Sequence, residues 1–184
     1  HVRWILSVID LLAYLKRIEK IKRAPSRSDA PGAHFGKSGS PYKLILLLVI
    51  VRSLRAPSKS PFKTGRIYYD DCVGPFFELH SELIQGTSNT HRDEQIVVQP
   101  FWNFAAGVPQ LWGLTPVDGK STELTELLSR RPKLQVKTPK KLKGLIAYAE
   151  ISADDLTLLT DATANKTIEH FILNEYFPSR PINT

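Results

Sequence analysis

The run Ser40-Pro41-Tyr42-Lys43-Leu44-Ile45-Leu46-Leu47-Leu48-Val49-Ile50-Val51 decides the fold class. Ser40 before Pro41 has the form of an N-cap with proline at the first helical position. Leu44 to Val51 is uninterrupted apolar sequence, well short of the ~20 residues a membrane span needs. A helix from Pro41 to about Leu54 that is apolar on nearly every face belongs inside a globular core. No apolar run in the chain reaches spanning length, and Val2 to Leu15 lacks the basic start and small-residue cleavage site of a signal peptide.

Further helices are expected on either side of this one. Ile5, Val8, Ile9, Leu11, Leu12, Leu15 and Ile18 recur at helical spacing, which predicts a helix to about Arg23 with a basic end. Ala24 to Ser40 reads as a Ser/Gly/Pro loop. Gly65-Arg66-Ile67-Tyr68-Tyr69 is β-prone, and Asp70 or Asp71 is placed to cap a helix through Leu83. Gly86 to Gln95 is a polar loop. Ile96-Val97-Val98 with Pro100-Phe101-Trp102-Asn103-Phe104, and then Leu111-Trp112-Gly113-Leu114, suggest a hairpin around Ala106-Gly107-Val108-Pro109. Ser121 to Arg130 is helical. Thr138-Pro139 starts another helix, reaching about Tyr148. Ser152 with Asp155 resembles a capping box, and a last helix covers Asn165 to Tyr176. The expected class is therefore α+β, mainly helical: a single domain with a few short central strands. Residues 1–39 form an N-terminal basic helix and loop, and residues 40–184 form the main domain.

Composition points to the partner rather than the fold. The 184 residues carry a net charge of +7, with a pI near 9.5 and 42% apolar residues. That balance is globular, and the excess of cations favours a polyanionic partner. Cys72 is the single cysteine and the five histidines are scattered, so neither a disulfide framework nor a zinc-ligand spacing is present. We expect a cytoplasmic protein with no cofactor and no metal.

The strongest chemical feature is the basic run from Arg130 to Lys143. It holds Arg130, Arg131, Lys133, Lys137, Lys140, Lys141 and Lys143 without an acid. Phosphates are held by cations in an array, and each contact releases counterions. Thr138, Lys140 and Lys141 fall at a capped helix start, where free N–H groups add to the attraction. A solvated charged face is the plain alternative. Lys16, Arg17, Lys20, Lys22, Arg23 and Arg27 form a second basic cluster, which reads first as an ordinary exposed face. Gly32-Ala33-His34-Phe35-Gly36-Lys37-Ser38 resembles a phosphate-binding loop but has one residue too few between its glycines. Asp118-Gly119-Lys120, with Asp70 and Asp71, offers the pieces of a metal-dependent nuclease, although Asp-Gly is ordinary turn chemistry.

Taken in order, several of these segments resemble the sulfur-binding domain of restriction endonucleases of the HNH type that attack phosphorothioate-modified DNA. The matching segments are Ser40 to Leu48, Gly65-Arg66-Ile67, Pro100-Phe101-Trp102, Leu111-Trp112, and Ala153 through Pro178, spanning about residues 40 to 178. The resemblance implies an apolar sulfur pocket at Gln99, Pro100, Trp102 and Asn103. It also implies DNA-backbone contacts at Tyr42 and Lys43, with the basic run adding Arg130, Arg131 and Lys137. Base readout in the major groove falls to Thr138, Lys140 and Lys141. Gln99 stands where an aromatic is common, Tyr42 where many members carry histidine, and Asn103 where a small apolar residue is expected. No HNH motif follows Pro178. The expected protein is thus a non-catalytic reader of phosphorothioated double-stranded DNA that targets a fused or separate nuclease. The alternatives are a DNA-binding domain indifferent to sulfur, a small nuclease using Asp118 and Lys120, and a peripheral membrane binder acting through the first helix.

Overall fold

The computed structural model describes residues 2–21, 41–84, 94–130 and 136–178. Helix α1 (Val2–Glu19) is followed by α2 (Tyr42–Leu54), a 3-10 turn (Pro57–Lys59), β1 (Arg66–Ile67), α3 (Tyr69–Leu83) and α4 (Gln95–Ala106). Then come β2 (Gly113–Pro116), α5 (Ser121–Ser129), α6 (Pro139–Leu145), β3 (Ile146–Glu150), α7 (Ala153–Thr160) and α8 (Ala162–Tyr176). The fold is α+β and mostly helical, with one small antiparallel sheet of order β1-β3-β2.

Helix α2 sits at the centre, as its sequence demands. Leu44 to Val51 and Leu54 are all buried. It packs against α3, α4, α7 and α8, and water reaches it near its two ends, at Tyr42, Lys43, Arg52 and Ser53. Pro41 has αR dihedrals (φ −79°, ψ −7°) and its carbonyl accepts from Ile45 N–H at 3.0 Å, which is how a proline opens a helix. Its expected cap, Ser40, lies outside the described residues, as do the expected Ala24–Ser40 loop with its Gly32–Ser38 segment and most of the expected Gly86–Gln95 loop. Helix α1 stops at Glu19 rather than near Arg23, and Tyr14, Ile18 and Ile21 are buried in the common core.

Two expectations are corrected. Gln95–Ala106 is a helix, not one arm of a hairpin. Its β-branched residues and Pro100 favour extended structure locally, but Val97, Phe101 and Phe104 repeat at i, i+4 and i+7, with Val98 and Trp102 beside them. Burying that stripe against α2 outweighs the missing N–H of Pro100. The second correction concerns Ile146–Glu150, expected as the end of a helix. It is the central strand β3, pairing with β1 through Arg66↔Glu150 and Ile67↔Ala149, and with β2 through Leu114↔Ala149 and Thr115↔Tyr148.

Smaller differences concern helix starts. Helix α3 begins at Tyr69 with no side-chain cap, so Asp70 and Asp71 fall in its first turn, where acids suit the macrodipole. The cap of α8 is Asp161, whose Oδ1 accepts from Ala164 N–H at 2.8 Å, so α8 starts ahead of Asn165. Ser152 does cap α7, accepting from Asp155 N–H at 3.2 Å. The Asp155 carboxylate does not close a capping box, because Arg17 holds both its oxygens at 2.8 and 2.9 Å.

Candidate nucleic-acid interface

The basic run is organised around α6. Thr138 is extended (φ −120°, ψ 147°) and its Oγ1 accepts from Lys141 N–H at 3.3 Å, with Pro139 next in the helix. Leu142 and Leu145 are buried beneath the helix. Val136 is fully buried, and its carbonyl accepts from Gln99 Nε2 at 3.2 Å. The segment is therefore anchored from below at both ends of the cap, while Lys137, Lys140, Lys141 and Lys143 stay exposed. Such anchoring lowers the entropy cost of presenting several cations together.

Not all of these cations are uncommitted. Lys143 Nζ lies 3.1 Å from an Asp70 carboxylate oxygen. Arg130 is exposed at the end of α5, 3.9 Å from Glu126. Lys137, Lys140 and Lys141 form no salt bridge among the described residues. Arg131 and Lys133 lie outside the described residues.

An open groove of about 350 Å³ runs beside the helix start, lined by Glu123, Thr138, Lys140, Lys141, Gly144 and Leu145. Glu123 enters it from α5 and accepts from Lys120 Nζ at 2.9 Å. That bond, with the Lys120 charge and a smaller contribution from Lys141, holds the Glu123 carboxyl below the usual glutamate range. The groove is thus a cationic rim with one anion in it. Glu123 was not among the expected site residues; its i,i+3 spacing from Lys120 was the available clue.

The residues assigned to a sulfur pocket lie on α4. Pro100 and Trp102 are buried, while Gln99 and Asn103, one turn apart, form the partly exposed side. Neither Pro100 nor Trp102 lines the groove at α6. Tyr42 and Lys43 occupy the first turn of α2 and are half-buried. Tyr42 packs its ring against Phe76 and His80, at centroid distances of 6.2 and 5.8 Å, and burial pushes the Lys43 amine below its ordinary value. The structure brings Gln99 directly under the lysine segment. Tyr42 is tied instead to the rings of α3.

A second groove, of about 540 Å³, surrounds Arg17, Trp112, Glu150 and Asp155. Arg17, from the N-terminal cluster, donates to Asp155 and also to the Gln110 carbonyl at 2.8 Å. Its charge is used to hold α1 onto α7. Lys16 and Lys20 are exposed, and Lys22, Arg23 and Arg27 lie outside the described residues.

Asp118-Gly119 is the expected turn, with Gly119 at φ +78°, and Lys120 bonds Glu123. Among the described residues no group of three or more His, Cys, Asp or Glu side chains is placed to hold a metal ion. No helix among the described residues is long and apolar enough to cross a membrane. No protein-family model matches the chain, and no curated protein matches it.

Proposed function

We propose that this chain is a non-catalytic DNA-binding module of the cytoplasm that holds the phosphate backbone of a duplex on the exposed face of α6. The observation that carries the reading is the set Lys137, Lys140 and Lys141, presented at a capped helix start with no salt bridge among the described residues. Lys137, Lys140 and Lys141 are offered to phosphates and Thr138 to a base edge, with Arg130 and Arg131 offered to further phosphates. The test is a salt titration of duplex binding by fluorescence anisotropy. Each phosphate contact contributes about −0.9 to the slope of log K against log salt. Replacing Lys137, Lys140 and Lys141 together by alanine is expected to flatten the slope by roughly 2.7. A slope unchanged in that variant, or no binding by the native protein at low salt, sinks the proposal.

Phosphorothioate recognition is a finer reading, implied by the resemblance. It is favoured by the Gln99 bond to the Val136 carbonyl, which joins the Pro100 helix to the lysine segment. Sulfur is larger, softer and a poorer acceptor than oxygen, so a partly apolar recess discriminates it by sparing the cost of desolvating a phosphate oxygen. Of the four α4 residues assigned to the pocket, Gln99 and Asn103 are the partly exposed ones, so Gln99→Ala and Asn103→Ala are the informative variants. Pro100 and Trp102 belong to the core. The sulfur reading expects modified duplex to bind more tightly than plain duplex at fixed salt, with that preference altered in the two variants. Equal affinity leaves a DNA-binding domain indifferent to sulfur. A nuclease, fused or separate, would then be recruited by whichever DNA this face selects.

A further inference from the structure

The outer face of the small sheet carries an aromatic cluster that the duplex-binding face does not use. Ile67 and Ala149 are register partners and both are fully buried, so Arg66, Tyr148 and Glu150 point away from the core. The Arg66 guanidinium lies over the Tyr148 ring, 4.7 Å from its centroid. The Tyr68 ring packs beside Tyr148 at 5.7 Å, tilted by 57°, and Tyr68 is 42% exposed. The result is a flat guanidinium and two rings in contact, one of them open to solvent.

The place of this cluster in the fold says what it would meet. Helix α6 runs directly into β3, so Tyr148 follows the exposed lysines with no intervening loop. Asp70, two residues after Tyr68, is joined to Lys143 at 3.1 Å. The platform therefore continues the lysine face rather than standing apart from it. A ligand whose phosphates sit along Lys137, Lys140 and Lys141 would carry its next units toward Tyr68. Nucleobases have flat π-faces that stack on tyrosine and on arginine, and this stacking is tolerant of sequence. In an intact duplex those faces are covered. They are available in an unpaired strand.

We propose that Tyr68, Tyr148 and Arg66 form a stacking platform for an unpaired base, so that the protein prefers a duplex flanked by single-stranded DNA over a blunt one. The proposal rests on the DNA-binding reading of α6 and names the form of DNA that this surface accepts.

Three DNAs separate the possibilities: a blunt duplex, the same duplex with a short thymidine overhang, and the same duplex with an abasic overhang of equal length. The abasic overhang adds the same phosphates without bases. Binding is read by anisotropy at fixed salt. The thymidine overhang is expected to bind on the order of 10-fold more tightly than the abasic one, as one stacked base supplies. Tyr68→Ala is expected to remove that gain while leaving blunt-duplex affinity unchanged. Tyr68→Phe, which keeps the ring, is expected to retain it. Tyr68 is exposed, and an unchanged far-ultraviolet spectrum checks that the variant is folded. Equal affinity for the two overhangs overturns the platform and leaves duplex binding standing. Preference for the thymidine overhang that survives Tyr68→Ala also overturns it. Failure of all three DNAs to bind overturns both the platform and the reading beneath it.

Discussion

Asn165 links the ends of two helices, and its removal has a calculable cost. It is fully buried. Its Nδ2 donates to the Val51 carbonyl and to the Leu159 carbonyl, each at 2.7 Å. Both acceptors are orphans of helix termini. Helix α2 ends at Leu54, and the Arg55 N–H that would reach Val51 bonds Arg52 instead. Helix α7 ends at Thr160, and the Asp161 N–H goes to the Thr157 and Leu158 carbonyls. One amide thus satisfies one carbonyl at each end. Asn165→Ala leaves two acceptors dry and unpaired, at about 1–3 kcal/mol each. Its own Oδ1 has no partner, so losing that atom returns a part of the cost. The net expectation is a loss of roughly 2–4 kcal/mol, or a fall in Tm of roughly 5–15 °C for a chain of this size. Urea unfolding followed by circular dichroism measures it, as a lowered midpoint with an unchanged slope. Asn165→Asp is expected to be worse, because a carboxylate would face two carbonyl oxygens and donate to neither. Lys166→Ala, next in sequence and exposed, is expected to stay within about 0.5 kcal/mol of the native protein. An Asn165→Ala loss that small would refute the argument that these carbonyls depend on it.

Other expectations follow from charge. Arg17→Ala breaks the contact with the partly buried Asp155 and is expected to cost about 1–2 kcal/mol, concentrated in α1. Hydrogen exchange of the Tyr14 and Ile18 amides reads this, and unchanged protection means that apolar burial alone holds the helix. Burial lowers the His80 pKa below its ordinary 6.5. The unfolded chain then binds the proton more readily than the folded one, so stability is full above that value and falls as pH drops below it. His80→Phe is expected to flatten this dependence in urea titrations across that range, and an unaltered profile assigns the effect elsewhere. Glu123→Gln removes the one anion lining the α6 groove and is expected to tighten duplex binding severalfold at low salt. An unchanged Kd would mean that phosphates do not pass the groove.

Much of what is legible in the sequence has its partner nearby, although the Asp161 cap of α8 and the helical stripe of α4 are local as well and overturn the expected helix start and hairpin. The all-apolar run of α2 and the Thr138 and Ser152 caps are local, and each holds. The end of α6 is marked locally by Gly144 alone, whereas Ile146–Glu150 becomes a strand because Arg66–Ile67 and Gly113–Pro116 flank it. Asp155 looked like the return half of a capping box but is held by Arg17, 138 residues away. The candidate site shows the same division. Its lysines are legible by counting, but their availability is set by Asp70, 73 residues from Lys143, and its floor by Gln99, 37 residues from Val136. Counting gives every cation between Arg130 and Lys143 equal weight, and the geometry does not. Lys143 must give up Asp70 before it can neutralise a phosphate, whereas Lys140 has no salt bridge to break. Lys140→Ala is therefore expected to flatten the salt slope by close to a full contact, about 0.9, and Lys143→Ala by clearly less. Equal changes in the two variants would show that the exposed Asp70 pair dissolves on binding, and that the simple count was the better guide to this face.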